Sequence, residues 1–267
     1  MQPAHLETRG PLEVMAWSAF AGLGVDAVVT TRGGGVSTGP YDSLNLGLHV
    51  GDDDAAVVEN RRRAARALGL ELDELVFCDQ THGARVAVVG PGDRGRGAYR
   101  LDDALAATDA LVTSTPGVGL VVMAADCTPI VLYDPEVRVL GCVHAGWRGT
   151  TAQVVVAALE AMAALGASPA RVLAGLGPAV AASGYQVGAE VAEAVEAALP
   201  APSECLRPDH EGRWRLDLWA ANRQLLSAAG VPAAQIYTSP WPTGGDLFFS
   251  DRAVRPCGRI AVIAALR

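Results

Sequence analysis

Four short apolar runs, rich in valine, leucine and isoleucine, follow one another between residues 110 and 144. They span residues 110–113, 118–124, 130–133 and 139–144, and only short polar or glycine- and proline-bearing stretches separate them. Continuous apolar runs of this length are typical of strands that are covered on both faces. Because half of the 267 residues are hydrophobic, the chain can cover such strands with a large core. The pattern therefore predicts a cluster of buried strands at the centre of the fold.

The rest of the chain adds further strands and four helices to this cluster. The additional strands are predicted at residues 25–31, 76–79, 85–89, 172–176, 236–237 and 259–266. The helices are predicted at residues 54–68, 150–165, 188–198 and 216–229, and glycine directly follows three of them. The pattern favours an α/β fold in one domain over residues 1–267, with residues 1–13 flexible.

The charged residues limit both the partners and the chemistry. The formal net charge is −8, so we expect neither nucleic acid nor an anionic membrane as a partner. All 21 basic residues are arginine. The absence of lysine excludes a P-loop lysine, a Schiff-base or pyridoxal-phosphate lysine and a serine–lysine pair. A bound phosphate would have to be held by arginine, whose planar guanidinium suits bidentate contacts.

The cysteines and the apolar stretches bear on the compartment. Five cysteines, an odd number without a C-x-x-C pair, argue against a disulfide framework and for a reducing environment. Residues 1–13 lack the basic and apolar segments of a signal peptide. The longest apolar stretches, at residues 118–132 and 154–165, are interrupted by charge or proline, which does not fit a membrane span. We therefore expect a soluble cytoplasmic protein.

Three side chains that bind metals well stand at turns beside the apolar strands. His82 and His144 lie in glycine-rich turns after strands, and Cys127 lies between two strands. Two imidazoles and one thiolate, with a fourth position open, suit a catalytic Zn²⁺, which lowers the pKa of a bound water to about 7. Their spacing matches no recognised metal motif. A hydrogen-bonded loop histidine and a buried structural cysteine therefore remain the alternative interpretation.

A series of short blocks, in order along residues 25–265, resembles one bacterial family. That family is known as polyphenol oxidase (laccase domain), as peptidoglycan editing factor and as purine nucleoside phosphorylase. The blocks are TRGGGVS at 31–37, SLNLG at 43–47, HVGDD at 49–53, NR at 60–61, QTHG at 80–83, ADC at 125–127, HAGWRG at 144–149, GP at 177–178, YQVG at 185–188 and FFS at 248–250. The block at 144–149 is the most specific of them.

The resemblance has consequences for the metal site and for the fold. It implies that His82, Cys127 and His144 are the metal ligands, with Zn²⁺ as the expected ion and Cu²⁺ as the alternative. It also implies a largely monomeric, layered α/β/β/α sandwich, in which we expect mixed sheets. The two histidines and the cysteine would then act as catalytic residues through the ion that they hold.

The sequence departs from the family pattern at three places. The family usually has glutamate where Gln186 stands and often has cysteine where Tyr237 stands. It continues with an aromatic residue and two arginines where Asp251 and Arg252 stand. None of these positions is one of the three ligands, so we expect the departures to affect the shape of the substrate pocket.

The activities attached to the family can be compared by the ligands that each one needs. Oxidation through several coppers requires many imidazoles, and the chain has five histidines in total. A mononuclear copper together with a three-copper cluster cannot be built from five, whereas a single copper can. Hydrolysis and phosphorolysis at a single metal site fit the chain better.

The resemblance therefore favours chemistry on purine nucleosides. It suggests phosphorolysis of adenosine, inosine or methylthioadenosine, and hydrolytic deamination of adenosine at C6 of the base. The small-molecule partners would be nucleoside and phosphate. Arg32, Arg61 and Arg148 lie in the family blocks and are the candidates for binding phosphate. Asn45 is a candidate for a ribose hydroxyl or a base edge, and Asp126 is a candidate catalytic residue that orients a histidine ligand.

Two other classes of function stay open at this stage. Cys127 and His144 could be a nucleophile and its base, which would give an amidase that edits peptidoglycan precursors, with or without a metal. A non-enzymatic metal-binding protein is the third class, and the open ligand position and the surrounding glycines argue against it. Metal content separates the cysteine hydrolase from the metalloenzyme, and substrate turnover separates both from the binding protein.

Overall fold

The computed structural model describes residues 3–267, which contain fifteen strands and five helices. The strands are β1 (Ala4–Arg9), β2 (Leu12–Trp17), β3 (Val25–Thr30), β4 (Leu75–Phe77), β5 (Val86–Val88), β6 (Ala110–Thr113), β7 (Gly119–Ala124), β8 (Thr128–Asp134), β9 (Val139–Ala145), β10 (Leu173–Leu176), β11 (Gln186–Val187), β12 (Leu206–Pro208), β13 (Trp214–Leu216), β14 (Ile236–Thr238) and β15 (Ile260–Leu266). The helices are α1 (Asp54–Ala67), α2 (Trp147–Thr151), α3 (Val154–Ala164), α4 (Ala189–Ala198) and α5 (Leu218–Ala228).

The strands form two six-stranded sheets and one small sheet. The first sheet has the order β1-β2-β3-β15-β7-β4, and the second has the order β14-β10-β8-β9-β6-β5. Most neighbours pair antiparallel, but β4 is parallel to β7, β5 to β6, and β14 to β10. Both large sheets are therefore mixed, as predicted. The third sheet is β11-β13-β12.

The two large sheets pack face to face, and helices cover their outer faces. In β8, Val131 and Tyr133 lie in one apolar cluster with residues of the first sheet, such as Val262. The alternate residues, Ile130 and Leu132, lie in a second cluster with residues of α3 and α5. This alternation follows from the two-residue period of a strand. Because both faces are covered, both sets of alternating residues in these strands are largely apolar, which explains the continuous runs in the sequence.

Helix α1 completes the layers on the outer face of the first sheet. Its residues Ala64 and Ala65 belong to a third apolar cluster, together with Val121 and Ile263 of that sheet. The helix starts after Asp53, whose side chain accepts a hydrogen bond from the backbone N–H two residues later. The order of layers is therefore α1, first sheet, second sheet, then α3 and α5. This arrangement confirms the α/β/β/α prediction.

Residues 1–13 were expected to be flexible, and those that the structure describes lie mostly in a hairpin. Residues 1–2 lie outside the described part, but β1 pairs antiparallel with β2 at the edge of the first sheet. Leu12, Val14 and Met15 are fully buried, so the hydrophobic effect holds this hairpin on the core. Gly10, at φ +59°, supplies the left-handed residue of its turn.

Two other segments also differ from their predicted form. The helix predicted at 150–165 is divided into α2 and α3, because Gln153 adopts a left-handed backbone conformation at φ +61°. Residues 199–215, for which the sequence pattern predicted neither strand nor helix, contain β12 and the beginning of β13. None of the helices described in residues 3–267 has the length and apolar character needed to cross a membrane.

Candidate active site

The strand register of the second sheet brings Cys127 and His144 together. His144 is in β9, which lies between β8 and β6. Pro129 of β8 is opposite His144 in the register. Cys127 precedes Pro129 by two residues, so it lies beside His144. On the other side, the backbone N–H of His144 donates to the carbonyl of Asp109 at 2.8 Å. Asp109 directly precedes β6, so it too reaches this end of the sheet.

The carboxylate of Asp109 connects His144 to the loop that carries His82. One oxygen lies 2.9 Å from Nδ1 of His144 and accepts the backbone N–H of His82 at 2.9 Å. The other accepts the backbone N–H groups of Thr81 at 3.2 Å and Gly83 at 2.7 Å. Asp109 is fully buried, and these donors compensate its charge. One side chain therefore positions both histidines.

His82, Cys127 and His144 form a compact group, called here the His–Cys–His cluster. One nitrogen or sulfur atom from each residue lies within 4.8 Å of the others. The two imidazole rings meet edge to face, with centroids 4.9 Å apart. His144 is buried, Cys127 is partly exposed and His82 is exposed. The cluster is therefore held by the protein on one side and open to solvent on the other.

The backbone at the cluster leaves no room for an extra side chain. A Cβ atom on Gly146 would lie 2.6 Å from Sγ of Cys127 and 3.2 Å from Cδ2 of His82. His82 itself has a left-handed backbone with φ +62°, which is uncommon for a residue other than glycine. The hydrogen bonds from residues 81–83 to Asp109 hold it there. Such over-determined conformations occur preferentially at functional sites.

The charges of the cluster favour an ionised cysteine. Burial opposes ionisation of Cys127, but the charge of His144 and hydrogen bonds from His144 and His82 outweigh it and lower the pKa of the thiol to about 6. Burial also opposes protonation of His144, but the Cys127 thiolate and Asp109 outweigh it and raise the pKa of that imidazole to about 9. The side chains therefore stabilise a thiolate at neutral pH.

The chemistry of the three donors fits a transition-metal ion. Metal binding requires a deprotonated thiol, which the cluster already favours. Because Nδ1 of His144 contacts Asp109, its Nε2 is the nitrogen left for a ligand, and the carboxylate would fix the ring in the manner typical of metal-bound histidines. Three protein ligands with an open side match a catalytic site better than a closed structural one.

A cavity of about 580 Å³ includes the His–Cys–His cluster in its lining. Its size is that of a pocket for a small molecule. Aromatic and apolar side chains line part of it, among them Met123, Trp147 and Tyr185. Four arginines and three aspartates also line it: Arg148, Arg252, Arg255 and Arg259, with Asp79, Asp126 and Asp251.

Comparison with known families assigns the chain. Residues 26–267 match the model of the family described as multi-copper polyphenol oxidoreductase laccase. The chain belongs to this family. The match includes every residue of the His–Cys–His cluster and both large sheets except for β1, β2 and the first residue of β3.

Relatives within the laccase-like family carry the names of two activities on purine nucleosides. The chain is 40% identical over 255 residues to Purine nucleoside phosphorylase YlmD of Geobacillus stearothermophilus, covering 93% of this chain and 91% of that protein. It is 41% identical over 217 residues to Adenosine deaminase RL5 of an unknown prokaryotic organism, covering 81% and 83%. The crystal structure of YlmD from G. stearothermophilus superposes with a TM-score of 0.94 at 38% identity over the full length of both chains. This similarity confirms the fold.

Three of the predicted substrate-binding residues do not line the cavity. Asn45 and Arg61 are fully buried, and both use their side chains to hold backbone groups of neighbouring loops. The Arg61 guanidinium also lies 4.0 Å from the ring centroid of Phe77. Arg32 donates two hydrogen bonds to the carbonyl of Asp42. The side chains of all three therefore contact other parts of the protein and lie outside the cavity lining.

Arg148 and Asp126 do line the cavity, but Asp126 does not orient a histidine. Its carboxylate accepts hydrogen bonds from the hydroxyls of Thr243 and Ser250 and from the backbone N–H of Arg252. The left-handed backbone of Asp126, at φ +97°, turns it toward that segment. Asp109 takes the orienting position instead, which corrects the assignment made from the sequence.

Sequence reasoning missed Asp109 and most of the polar lining. Asp109 shows no motif of its own, and only the pairing of β6 with β9 reveals that it lies beside His144. His49 and Arg252 are in or next to family blocks, and each lines the cavity. Their position in or next to a family block was the one sequence feature that could have indicated a role in the site. It does not distinguish them from Arg61, which is also in a block but does not line the cavity.

The departures from the family pattern lie at different distances from the site. Gln186 is in β11, donates to Asp209 at 2.7 Å, and accepts a hydrogen bond from the Arg252 guanidinium through its backbone carbonyl. It therefore supports a residue of the cavity. Tyr237 is in β14, at the edge of the second sheet, and packs against the core between the sheets. Asp251 lines the cavity directly.

Proposed function

We propose that the chain is a metal-dependent purine nucleoside enzyme with the His–Cys–His cluster as its active centre. Its reactions are phosphorolysis of adenosine, inosine and methylthioadenosine, and hydrolytic deamination of adenosine. The observation that carries the proposal is the convergence of His82, Cys127 and His144 in the lining of a nucleoside-sized cavity. The names of the relatives supply the substrate class.

Zinc is the ion that we assign to the cluster, with copper as the alternative. A bound zinc would supply Lewis-acid chemistry, which polarises a substrate oxygen or nitrogen and lowers the pKa of water. His82, Cys127 and His144 would hold the ion, while Asp109 keeps the proton on Nδ1 of His144 and so fixes the orientation of that ring. The free thiols, with Cys127 among them, fit a reducing compartment, which we propose to be the cytoplasm.

Phosphorolysis fits the remaining features of the cavity. A phosphate oxygen forms a bond to C1′ of the sugar, while the bond from C1′ to the base nitrogen breaks and its electron pair leaves with the base. The base takes up the proton that the phosphate releases, so the products are the free purine and the sugar 1-phosphate. Trp147 and Tyr185 offer aromatic surface for a planar base. Arg148 and Arg252, which also line the cavity, offer donors for phosphate.

Oxidation by several coppers is not supported by the positions of the histidines. Such chemistry needs many imidazoles in one place, and of the five only His49, His82 and His144 line the cavity. His5 contacts Glu7 and Ser18 in the terminal hairpin. His210 is largely exposed beside β12. The polyphenol oxidase alternative therefore requires an enzyme with a single copper ion.

A second candidate, a cysteine hydrolase, is favoured by one specific arrangement. Asp109, His144 and Cys127 stand in line as an acid, a base and a nucleophile, and the pKa of the Cys127 thiol is lowered to about 6. This geometry would support an amidase that edits peptidoglycan precursors without a metal. Dependence on metal separates the two candidates.

The test measures products with and without phosphate. Purified protein is incubated with adenosine, and the products are separated by chromatography. We expect adenine and ribose 1-phosphate only when phosphate is present, and inosine and ammonia without it. His82→Ala should abolish both reactions, whereas His210→Ala, which removes a histidine outside the cavity, should retain both. Unchanged turnover in His82→Ala, or turnover that resists complete metal removal, would reject the proposal.

A further inference from the structure

The four arginines of the cavity differ in the partners that they already have. Arg255 and Arg259 form ion pairs with Asp251, with nitrogen–oxygen distances of 2.6 and 3.3 Å. The closest carboxylate that pairs with Arg148 is Glu190, at 3.9 Å, and both side chains are mostly exposed. The guanidinium of Arg252 has no carboxylate partner among residues 3–267. The positive charges of Arg148 and Arg252 are therefore the ones in the cavity that no close carboxylate neutralises.

Each of these two arginines is nevertheless held in place. The Arg148 guanidinium lies 4.3 Å from the ring centroid of Trp147. The Arg252 guanidinium donates to the carbonyl of Gln186 at 2.7 Å, and its own backbone N–H donates to Asp126 at 2.6 Å. Both side chains retain further N–H donors. Fixed guanidinium groups with free donors are well suited to bind an oxyanion, because little freedom is lost on binding.

Tyr185 lies near both arginines and near the cluster. The charged groups that act on its phenol are Cys127, Arg252, Asp126 and Arg148, and its ring lies 5.8 Å from the Arg252 guanidinium. Its hydroxyl has no hydrogen-bond partner within the part of the chain that the structure describes. Burial and the neighbouring Cys127 raise the pKa of the phenol to about 12, so it stays a neutral donor.

We propose that Arg148, Arg252 and Tyr185 form an oxyanion subsite beside Cys127, and that the subsite binds the phosphate co-substrate. The identity of the anion rests on the proposed phosphorolysis, whereas the subsite itself rests on the geometry above. The three residues come from α2, from the segment after β14 and from the segment before β11. The phosphate is thereby held on the same wall of the cavity as the cluster, and Arg32 and Arg61 take no part in binding it.

Steady-state kinetics with inorganic phosphate test the assignment. In Arg148→Gln and in Arg252→Gln we expect the KM for phosphate to rise about tenfold or more, because each variant loses charge-assisted hydrogen bonds. Tyr185→Phe should raise it about threefold, the effect of one neutral hydrogen bond. The KM for the nucleoside should stay within about twofold of wild type in all three, since the lost contacts are to phosphate.

Arg255→Gln is the matched control, because it removes one positive charge from the same cavity. Its guanidinium is already paired with Asp251, so the KM for phosphate should change by less than about twofold. Equal increases in Arg255→Gln and Arg252→Gln would mean that the cavity attracts phosphate by overall charge alone. That result would overturn the subsite, as would an unchanged KM for phosphate in Arg148→Gln and Arg252→Gln.

Calorimetric titration with inorganic phosphate separates this inference from the proposed function. The titration uses zinc-loaded protein, with zinc content checked in each variant, and requires no turnover. If wild type binds phosphate and the Arg148→Gln/Arg252→Gln double variant does not, the subsite stands even where no phosphorolysis is detected. Equal binding by both proteins, or binding by neither, would overturn the subsite whatever the reaction is.

Discussion

The Asp109 carboxylate lies 2.9 Å from Nδ1 of His144, and the two residues meet because β6 and β9 are neighbours in the second sheet. Burial opposes the ionisation of Asp109, but hydrogen bonds from His144 and from backbone N–H groups outweigh it and hold the pKa of that carboxyl below its usual value. The carboxylate therefore stays charged, keeps the proton on Nδ1 and leaves Nε2 for a ligand. We therefore expect zinc binding to depend on Asp109.

Asp109→Asn should weaken zinc binding by about 10–100-fold, because an amide is a poorer acceptor for the His144 ring and for the loop that carries His82. Competition with a chromophoric chelator measures the affinity. Asp134→Asn is the control, since Asp134 is an equally buried carboxylate in the same sheet that pairs with Arg171 away from the cavity. It should lower the melting temperature without changing zinc affinity. Equal zinc affinity in wild type and Asp109→Asn would contradict the positioning role.

Gly146→Ala tests how tightly the cluster is enclosed. The added methyl group would lie 2.6 Å from Sγ of Cys127, so the thiolate or the strand end must move. We expect kcat/KM to fall by about 10²-fold, the usual effect of a displacement near 1 Å at a reacting centre. Gly90→Ala makes the same chemical change where no atom lies within 4 Å of the new group, and it should retain full activity. Full activity in Gly146→Ala would show that the cluster tolerates displacement.

The reactivity of Cys127 in metal-free protein should follow its lowered pKa. The thiolate is the reactive form and predominates above the pKa, so alkylation by iodoacetamide should be half-maximal near pH 6, compared with about 8.5 for an ordinary cysteine. Mass spectrometry of the modified peptide follows the rate. Burial raises the pKa of Cys78 and Cys142, so those thiols should stay unmodified at pH 7. Added zinc should protect Cys127. A midpoint near pH 8.5 would show that His144 does not stabilise the thiolate.

Arg61 should prove structural, although it lies in a family block. Its guanidinium is buried and donates to the carbonyls of Leu46, Gly97 and Ala98. In Arg61→Met these carbonyls lose their donors, and we expect the free energy of unfolding to fall by about 3 kcal/mol or more. Urea denaturation measures the loss, and Arg62→Met, on the same helix but partly exposed, is the control. A selective rise in the KM for phosphate at unchanged stability would instead show that Arg61 binds substrate.

Much of the fold follows from the apolar pattern, and the failures have identifiable causes. The strand predicted at 110–113 is β6 without change, because burial on both faces leaves an almost continuous apolar run that only Thr113 interrupts. The hairpin of β1 and β2 was missed because β1 is an edge strand whose residues are mostly only half-buried and include Glu7 and Arg9. The split between α2 and α3 depends on the backbone of Gln153, for which helical periodicity gives no sign.

The site was predictable to the extent that sequence blocks marked it. The blocks singled out His82, Cys127 and His144, and the structure brings the three together. Asp126 is next to Cys127 in the chain, but its left-handed backbone turns its carboxylate toward Thr243 and Ser250 and away from the histidines. Asp109 lies 35 positions from His144 and could be found only through the strand register.

The most direct test of a catalytic His–Cys–His metal centre is the metal content of the purified protein, measured by mass spectrometry beside phosphate-dependent adenine release. Wild type and Cys205→Ala, which removes a buried thiol outside the cavity, should each carry about one zinc per chain and release adenine. Cys127→Ala should lose the zinc and the activity together. A metal-free wild type that still turns substrate over through Cys127 would contradict the metal centre and leave the cysteine hydrolase in its place.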